Sequence, residues 1–167
     1  MARTVDPEHQ LASFLAKYTP AIAAHAEVIR NHMRKLYPTA LELVYDNYNA
    51  LAIGYCPAEK TSEAIFSIAL YPNWVSLFFL QARGLPDPDK ILKGSGSVVK
   101  HVVIESLETL HDPTVKALMH EAVTRAKVPF PNQGEHRLII KSVSARQRPR
   151  RPATKPAARQ SASSKLH

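Results

Sequence analysis

Cysteine is almost missing from this chain. Its one copy, Cys56, excludes an intrachain disulfide and a structural zinc site built on several cysteines. That usage suits a reducing compartment. Glycine is also scarce: there are five, and two of them, Gly94 and Gly96, fall together in KGSGSVVKH. Long apolar runs are lacking too. The opening MARTVDPEHQL has none of signal-peptide length, and the most apolar stretch, VSLFFL, falls far short of the roughly 20 residues that span a bilayer. The expectation is a soluble, cytoplasmic protein without membrane insertion. Acid is absent from one region altogether. Residues 141–167 contain no Asp or Glu but carry Lys141, Arg146, Arg148, Arg150, Arg151, Lys155, Arg159 and Lys165. Residues 1–140 hold all 14 acids and the remaining 14 Lys/Arg, so the net charge of +8 belongs to the C-terminal stretch. The pI near 9.7 therefore describes a tail rather than a domain.

What is present fits one globular domain: 167 residues, 45% of them hydrophobic. Three segments open with a cap and a proline, a strong start signal for a helix. DPEHQLASFLAKY begins at Asp6-Pro7 and carries Leu11, Phe14, Leu15 and Tyr18 on one stripe. TPAIAAHAEVIRNHMRKLYP begins at Thr19-Pro20, with Ile22, Ala26, Ile29, Met33 and Leu36, and stops at Pro38. DPTVKALMHEAVTRAKV begins at Asp112-Pro113, with Val115, Leu118, Met119, Ala122 and Val123. The reading adds a shorter helical piece over Thr39–Val44 and a helical turn over Asp87–Leu92.

Between the second and third long helices the period changes to two. Leu51, Ile53 and Tyr55 share a face, as do Phe66, Ile68 and Leu70, and then Val75, Leu77 and Phe79 beyond the polar break Tyr71-Pro72-Asn73. VVKHVVIE (98–105) reads as a fourth strand and HRLIIKSVS (136–144) as a fifth. The expected class is α+β: a mostly antiparallel sheet of about five strands with helices packed on one face. From Ala145 the composition breaks to ARQRPRRPATKPAARQSASSKLH, with too little apolar surface to offset ordering entropy. The boundaries are a domain over 6–144 and a disordered basic tail over 145–167.

The order of PTALELVYDNYNALAIGY, EAIFSIALYPNWVSLFFL, DPDKILKGSGSVVKHVVIES and DPTVKALMHEAV resembles the YdhG-like domain, a bacterial domain of unknown function. The likeness spans roughly residues 20–127. It implies a small α+β fold, frataxin-like in outline, cytoplasmic, with no established enzymatic activity. Some relatives are described as frataxin-like iron chaperones, so iron enters as a possible cofactor only through the resemblance. Frataxin-type iron binding uses a clustered acidic surface, whereas the 14 acids here are scattered.

The glycine stretch is where chemistry is most suggestive. A dinucleotide fingerprint needs a third glycine where Val99 stands, and a Walker loop needs strand, loop and helix in that order. Here a turn, a loop and a strand follow one another, so both enzyme readings fail. The bland reading gives Gly94 a left-handed conformation capping the 87–92 turn, with Gly96 easing the chain into the strand. The functional one is a backbone nest at Lys93, Gly94, Ser95, Gly96 and Ser97 which, with Lys100 or His101, could hold a phosphate or carboxylate.

The eight histidines form no H-E-x-x-H, and Cys56 and the serines lack any nucleophile signature. Tyr45, Tyr48, Tyr55, Trp74, Phe78 and Phe79 could line a pocket but more often make up a sheet's core and edge. The tail residues Arg146, Arg148, Arg150, Arg151 and Lys155 could hold nucleic acid nonspecifically through phosphates. Without aromatics of their own they are poorly suited to stacking on single strands. The leading expectation is a non-catalytic binding protein for a small anionic ligand or a protein partner at the Gly-Ser-Gly loop. An iron chaperone and a tail-borne polyanion binder are the alternatives.

Overall fold

The three long helices begin where their caps stand. Asp6 accepts the Glu8 N–H at 3.3 Å, Thr19 Oγ1 that of Ile22 at 3.3 Å, and Asp112 that of Thr114 at 2.8 Å, each cap being followed by a proline that has no N–H to waste. The computed structural model describes residues 5–153. In it these helices are α1 (Pro7–Leu15), α2 (Pro20–Leu36) and α4 (Pro113–Thr124), the last preceded by a one-turn α3 (Leu107–His111).

Six strands, one more than expected, form a single sheet: β1 (Leu41–Asp46), β2 (Leu51–Cys56), β3 (Phe66–Leu70), β4 (Val75–Phe79), β5 (Lys100–Ile104) and β6 (Leu138–Val143). Their spatial order is β5-β4-β3-β2-β1-β6; β1 and β6 are parallel and every other pair is antiparallel. The class is α+β. The extra strand is β1, which corrects the expected helical piece over Thr39–Val44. Its Ala-Leu-Glu-Leu run favours a helix locally. Pairing with β2 on one side and β6 on the other, with five of its six residues buried, overrides that preference. The strand expected from Val98 starts only at Lys100.

Register fixes which side chains meet. Ile53, Ile68, Leu77 and Val102 lie opposite one another across four strands, flanked by the rows Leu51–Leu70–Val75–Ile104 and Tyr55–Phe66–Phe79–Lys100. Against the apolar members of these rows pack Leu11, Phe14 and Leu15 of α1, Ala26, Ile29 and Met33 of α2, and Val115, Leu118, Met119 and Ala122 of α4. Burial of this face is the main stabilising term. Tyr18, just past α1, is buried too; its hydroxyl donates to the Leu70 carbonyl at 2.9 Å and accepts the Leu51 N–H at 3.1 Å. No helix among the described residues is long and apolar enough to cross a membrane.

The same face holds two carboxylates removed from water, Glu42 and Asp46, both on β1. Glu42 accepts from Arg30 Nε at 3.0 and 3.1 Å and Nη2 at 2.8 Å, from the Tyr55 hydroxyl at 2.9 Å, and pairs with His136 just before β6. The far side of the Arg30 guanidinium reaches Glu8 of α1 at 2.7 and 3.0 Å. Asp46 is held by Lys17 at 2.7 Å and by Arg150 at 2.8 Å.

That second pair corrects the domain boundary. Composition ends the domain at Ser144, yet Arg150 is only 5% exposed, and Arg148 N–H donates to the Tyr48 carbonyl at 2.9 Å. Arg151 donates to the carbonyls of Lys17 and Ala16 at 3.2 and 3.3 Å. Residues 145–153 thus run as a strap over the domain, held by a charge pair and main-chain hydrogen bonds rather than by apolar burial. The expectation for Lys155 and the rest of the tail lies outside the described residues.

Burial alone would raise the Glu42 pKa. The hydrogen bonds from His136, Arg30 and Tyr55, with the Arg30 charge, outweigh it and hold the carboxyl below its ordinary value. The Arg30 hydrogen bond lowers Glu8 likewise. Both groups bind protons more readily unfolded, so the stability they give is complete above the ordinary glutamate pKa of about 4.3 and is lost as pH falls through the folded values. Urea unfolding midpoints should hold steady at neutral pH and fall below about pH 5. Glu42→Ala, which strands Arg30 and Tyr55, should cost about 3–5 kcal/mol at pH 7 and flatten that acid decline. An unchanged acid profile in the variant would show that Glu42 is not its source.

Candidate functional site

After β4 the chain turns at Gly84 (φ +80°) and again at Asp87–Lys90. The second turn is not the helical one expected over 87–92. It closes through a single Lys90 N–H to Asp87 carbonyl bond at 3.1 Å, with Lys90 itself at φ +53°. The Asp87 carboxylate then folds forward to accept the N–H groups of Ile91 and Leu92, both at 3.0 Å. Next, Lys93 and His101 exchange both main-chain hydrogen bonds, at 2.8 and 2.9 Å, as an isolated antiparallel bridge. The Gly-Ser-Gly stretch is therefore the tip of a hairpin-like loop. Gly94 has the positive φ expected of it, +119°, but uses it to leave this bridge rather than to cap a helix. Lys100 Nζ clamps the loop by donating to the Gly94 carbonyl at 2.9 Å.

Beside this tip lies a shallow cleft of about 470 Å³. Ser95, Gly96, Ser97 and Lys100 line it, joined by Arg83 and Lys90 from the two preceding turns. Asp87 also borders it, with both carboxylate oxygens already taken by main-chain N–H groups. Three cations and two hydroxyls thus face one depression. Arg83 and Lys90 were legible only as basic residues flanking turn signals.

The other expected members go elsewhere. Lys93 lines a separate depression with Glu105, Glu108 and Asp112. His101, on the opposite sheet face from Lys100, tilts over the Phe78 ring with centroids 5.0 Å apart. Burial, helped by the Lys93 charge, lowers its pKa, so the ring is neutral near pH 7. Strand alternation, not distance along the chain, separates it from the cleft.

The remaining polar candidates divide similarly. His25 Nε2 contacts the Ile104 carbonyl at 2.7 Å, a bond joining α2 to the sheet. His32 and His111 meet edge to face, centroids 5.0 Å apart, at a largely apolar cleft of about 420 Å³ that His120 also lines. Among the described residues no three His, Cys, Asp or Glu side chains are grouped so as to hold a metal ion. Burial pushes the Cys56 thiol up to about 12, so it carries no thiolate at neutral pH. The six aromatics do not share a pocket: Tyr55 and Phe79 are core, while Tyr48 and Trp74 stand exposed. Of the tail arginines, Arg146 is exposed, Arg148 sits over the Tyr48 ring at 5.6 Å, and Arg150 is consumed by Asp46.

By class this is an α+β protein whose mixed six-stranded sheet is covered by helices on one face and carries a basic cleft at one end of β4 and β5. No known family matches the chain, and neither do any curated proteins or solved structures.

The loop makes a sharp prediction about its glycines. Gly94 sits at a φ that side-chain-bearing residues rarely adopt, whereas a Cβ on Gly96 would meet only the Val99 carbonyl at 3.5 Å, an ordinary contact. Gly94→Ala should destabilise by about 1–3 kcal/mol in chemical unfolding, and Gly96→Ala by under about 0.5 kcal/mol. Equal costs would contradict the described loop conformation.

Proposed function

We propose that the protein is a non-catalytic binder of a small anion, a phosphate or a carboxylate, free or borne by a protein partner, at the Gly-Ser-Gly hairpin tip. The observation that carries this is the convergence of Arg83, Lys90 and Lys100 on the Ser95 and Ser97 side of the loop, where the one acid lining the cleft, Asp87, already accepts two main-chain N–H groups. Such a cluster attracts negative charge, and its hydroxyls supply short-range donors that fix an oxyanion. The cleft is open, so binding is modest and weakens with salt. Kinship with YdhG-like domains, a frataxin-like outline and a cytoplasmic setting belong to the same proposal and rest on the sequence resemblance. The iron reading has no grouped ligands among the described residues to build on.

Titration with inorganic phosphate, followed by amide NMR, should shift Ser95–Lys100 and leave β1 and β6 unmoved. Replacing Arg83 and Lys90 together by Gln, which touches no side-chain hydrogen bond described above, should weaken binding about tenfold. Silence of the 95–100 amides at millimolar phosphate and low salt would end this reading.

A further inference from the structure

A second surface forms where the strap crosses the opposite end of β4 from the anion cleft. The β3–β4 turn presents Tyr71 and Trp74 as a stacked pair, centroids 4.7 Å apart and planes 17° from parallel. Trp74 is 42% exposed, and Tyr48, on the neighbouring β1–β2 turn, 46%. The strap brings Arg148 over the Tyr48 ring. Between the β3–β4 turn and the strap opens a cleft of about 810 Å³ lined by Tyr71, Trp74, Asn49, Asn73, Arg148 and Arg151, together with prolines and one alanine, and by no acidic residue.

We infer that this surface binds single-stranded nucleic acid. Three properties select that partner. Exposed flat rings at two adjacent turns offer stacking faces for bases, which every base accepts. Arg148, over the Tyr48 ring, and Arg151, which lines the cleft with Tyr71 and Trp74, offer cations to a phosphodiester backbone. Asn49 and Asn73 add amide donors and acceptors within reach of base edges. Duplex DNA fits less well, because its bases are already stacked and it would use only the charges.

The strap makes the surface possible. Arg150, between the two exposed arginines, is buried and joined to Asp46 at 2.8 Å, and the Gln147 amide donates to the Asp46 carbonyl at 3.1 Å. Cations that composition alone assigns to a floating tail are thereby fixed next to rings that belong to the sheet. This bears on the expectation that a tail without aromatics is poorly suited to single strands: the aromatics come from residues 48–74, and folding supplies the juxtaposition. The inference is independent of the anion cleft and stands or falls without it.

Trp74 is the only tryptophan in the chain, so its fluorescence reports this surface directly. The test uses the full chain and a fluorescein-labelled oligothymidylate about a dozen nucleotides long, at low salt. Binding should quench Trp74 and raise the anisotropy of the label. Trp74→Ala should weaken binding about tenfold and Trp74→Phe only a few-fold, while Arg148→Gln should lower the salt slope by about one. The duplex of the same length should bind more weakly. Full affinity in Trp74→Ala, with the duplex bound equally well, would reduce the surface to phosphate attraction and overturn the inference. So would the absence of any anisotropy change at micromolar protein.

Discussion

Two carboxylates on the inner face of β1, Glu42 and Asp46, sit where a sheet of this kind would ordinarily place apolar residues, and neither is tolerable there without cations delivered to it. Much of the architecture follows from that demand. Arg30 must lie on the buried side of α2, and Glu8 on α1 then takes the far side of its guanidinium. His136 must stand just before β6, and Tyr55 must point its hydroxyl inward from β2. Lys17 and Arg150 meet at Asp46 from opposite ends of the chain. On that face Val44, between the two acids, is the one apolar core residue of β1, while Leu41 and Leu43 are buried on the other.

By composition residues 1–140 are neutral, yet many of their carboxylates are turned inward or committed: Glu42 and Asp46 to buried pairs, Asp6 and Asp112 to helix caps, Asp87 to a turn. A cation count matched by an acid count need not be matched in space. Where Arg83, Lys90 and Lys100 gather, the one carboxylate lining the cleft, Asp87, accepts a main-chain N–H on each oxygen, and three cations stand against its single charge. Local electropositivity can arise in this way without any excess of basic residues.

The elements most legible in the sequence were those announced by local rules. Asp-Pro and Thr-Pro starts located three helices, and strict alternation placed Leu51, Ile53 and Tyr55, then Phe66, Ile68 and Leu70, on one face, as register shows. β1 was missed because its pattern is nearly continuous burial on both faces, with a paired glutamate inside it, so neither period two nor polarity marks it. The loop's composition pointed to Ser95, Ser97 and Lys100, and alternation along the strand already set Lys100 and His101 on opposite faces; which face bordered the cleft was not legible. The ionic network was not legible at all: Glu8, Arg30, Glu42, Tyr55 and His136 share no spacing rule, only a place. The strap failed the disorder criterion for the same reason, since composition measures apolar surface and Arg150 is held by a charge.

The long reach of these contacts bears on how the chain comes to be folded as it is made. His136 meets Glu42 across 94 residues of sequence, and Arg150 meets Asp46 across 104. During synthesis β1 emerges early, with the edge that β6 will pair still open and with His136 and Arg150, the later partners of its two acids, not yet made. Such distant closures are slow in folding terms, and an open edge invites association with other chains meanwhile. A charged side chain on that edge resists such pairing more than an apolar one would. The two acids of β1 are thus completed in two stages, first by Arg30 and Lys17 from the segment already made, then by His136 and Arg150 when β6 and the strap close over the sheet.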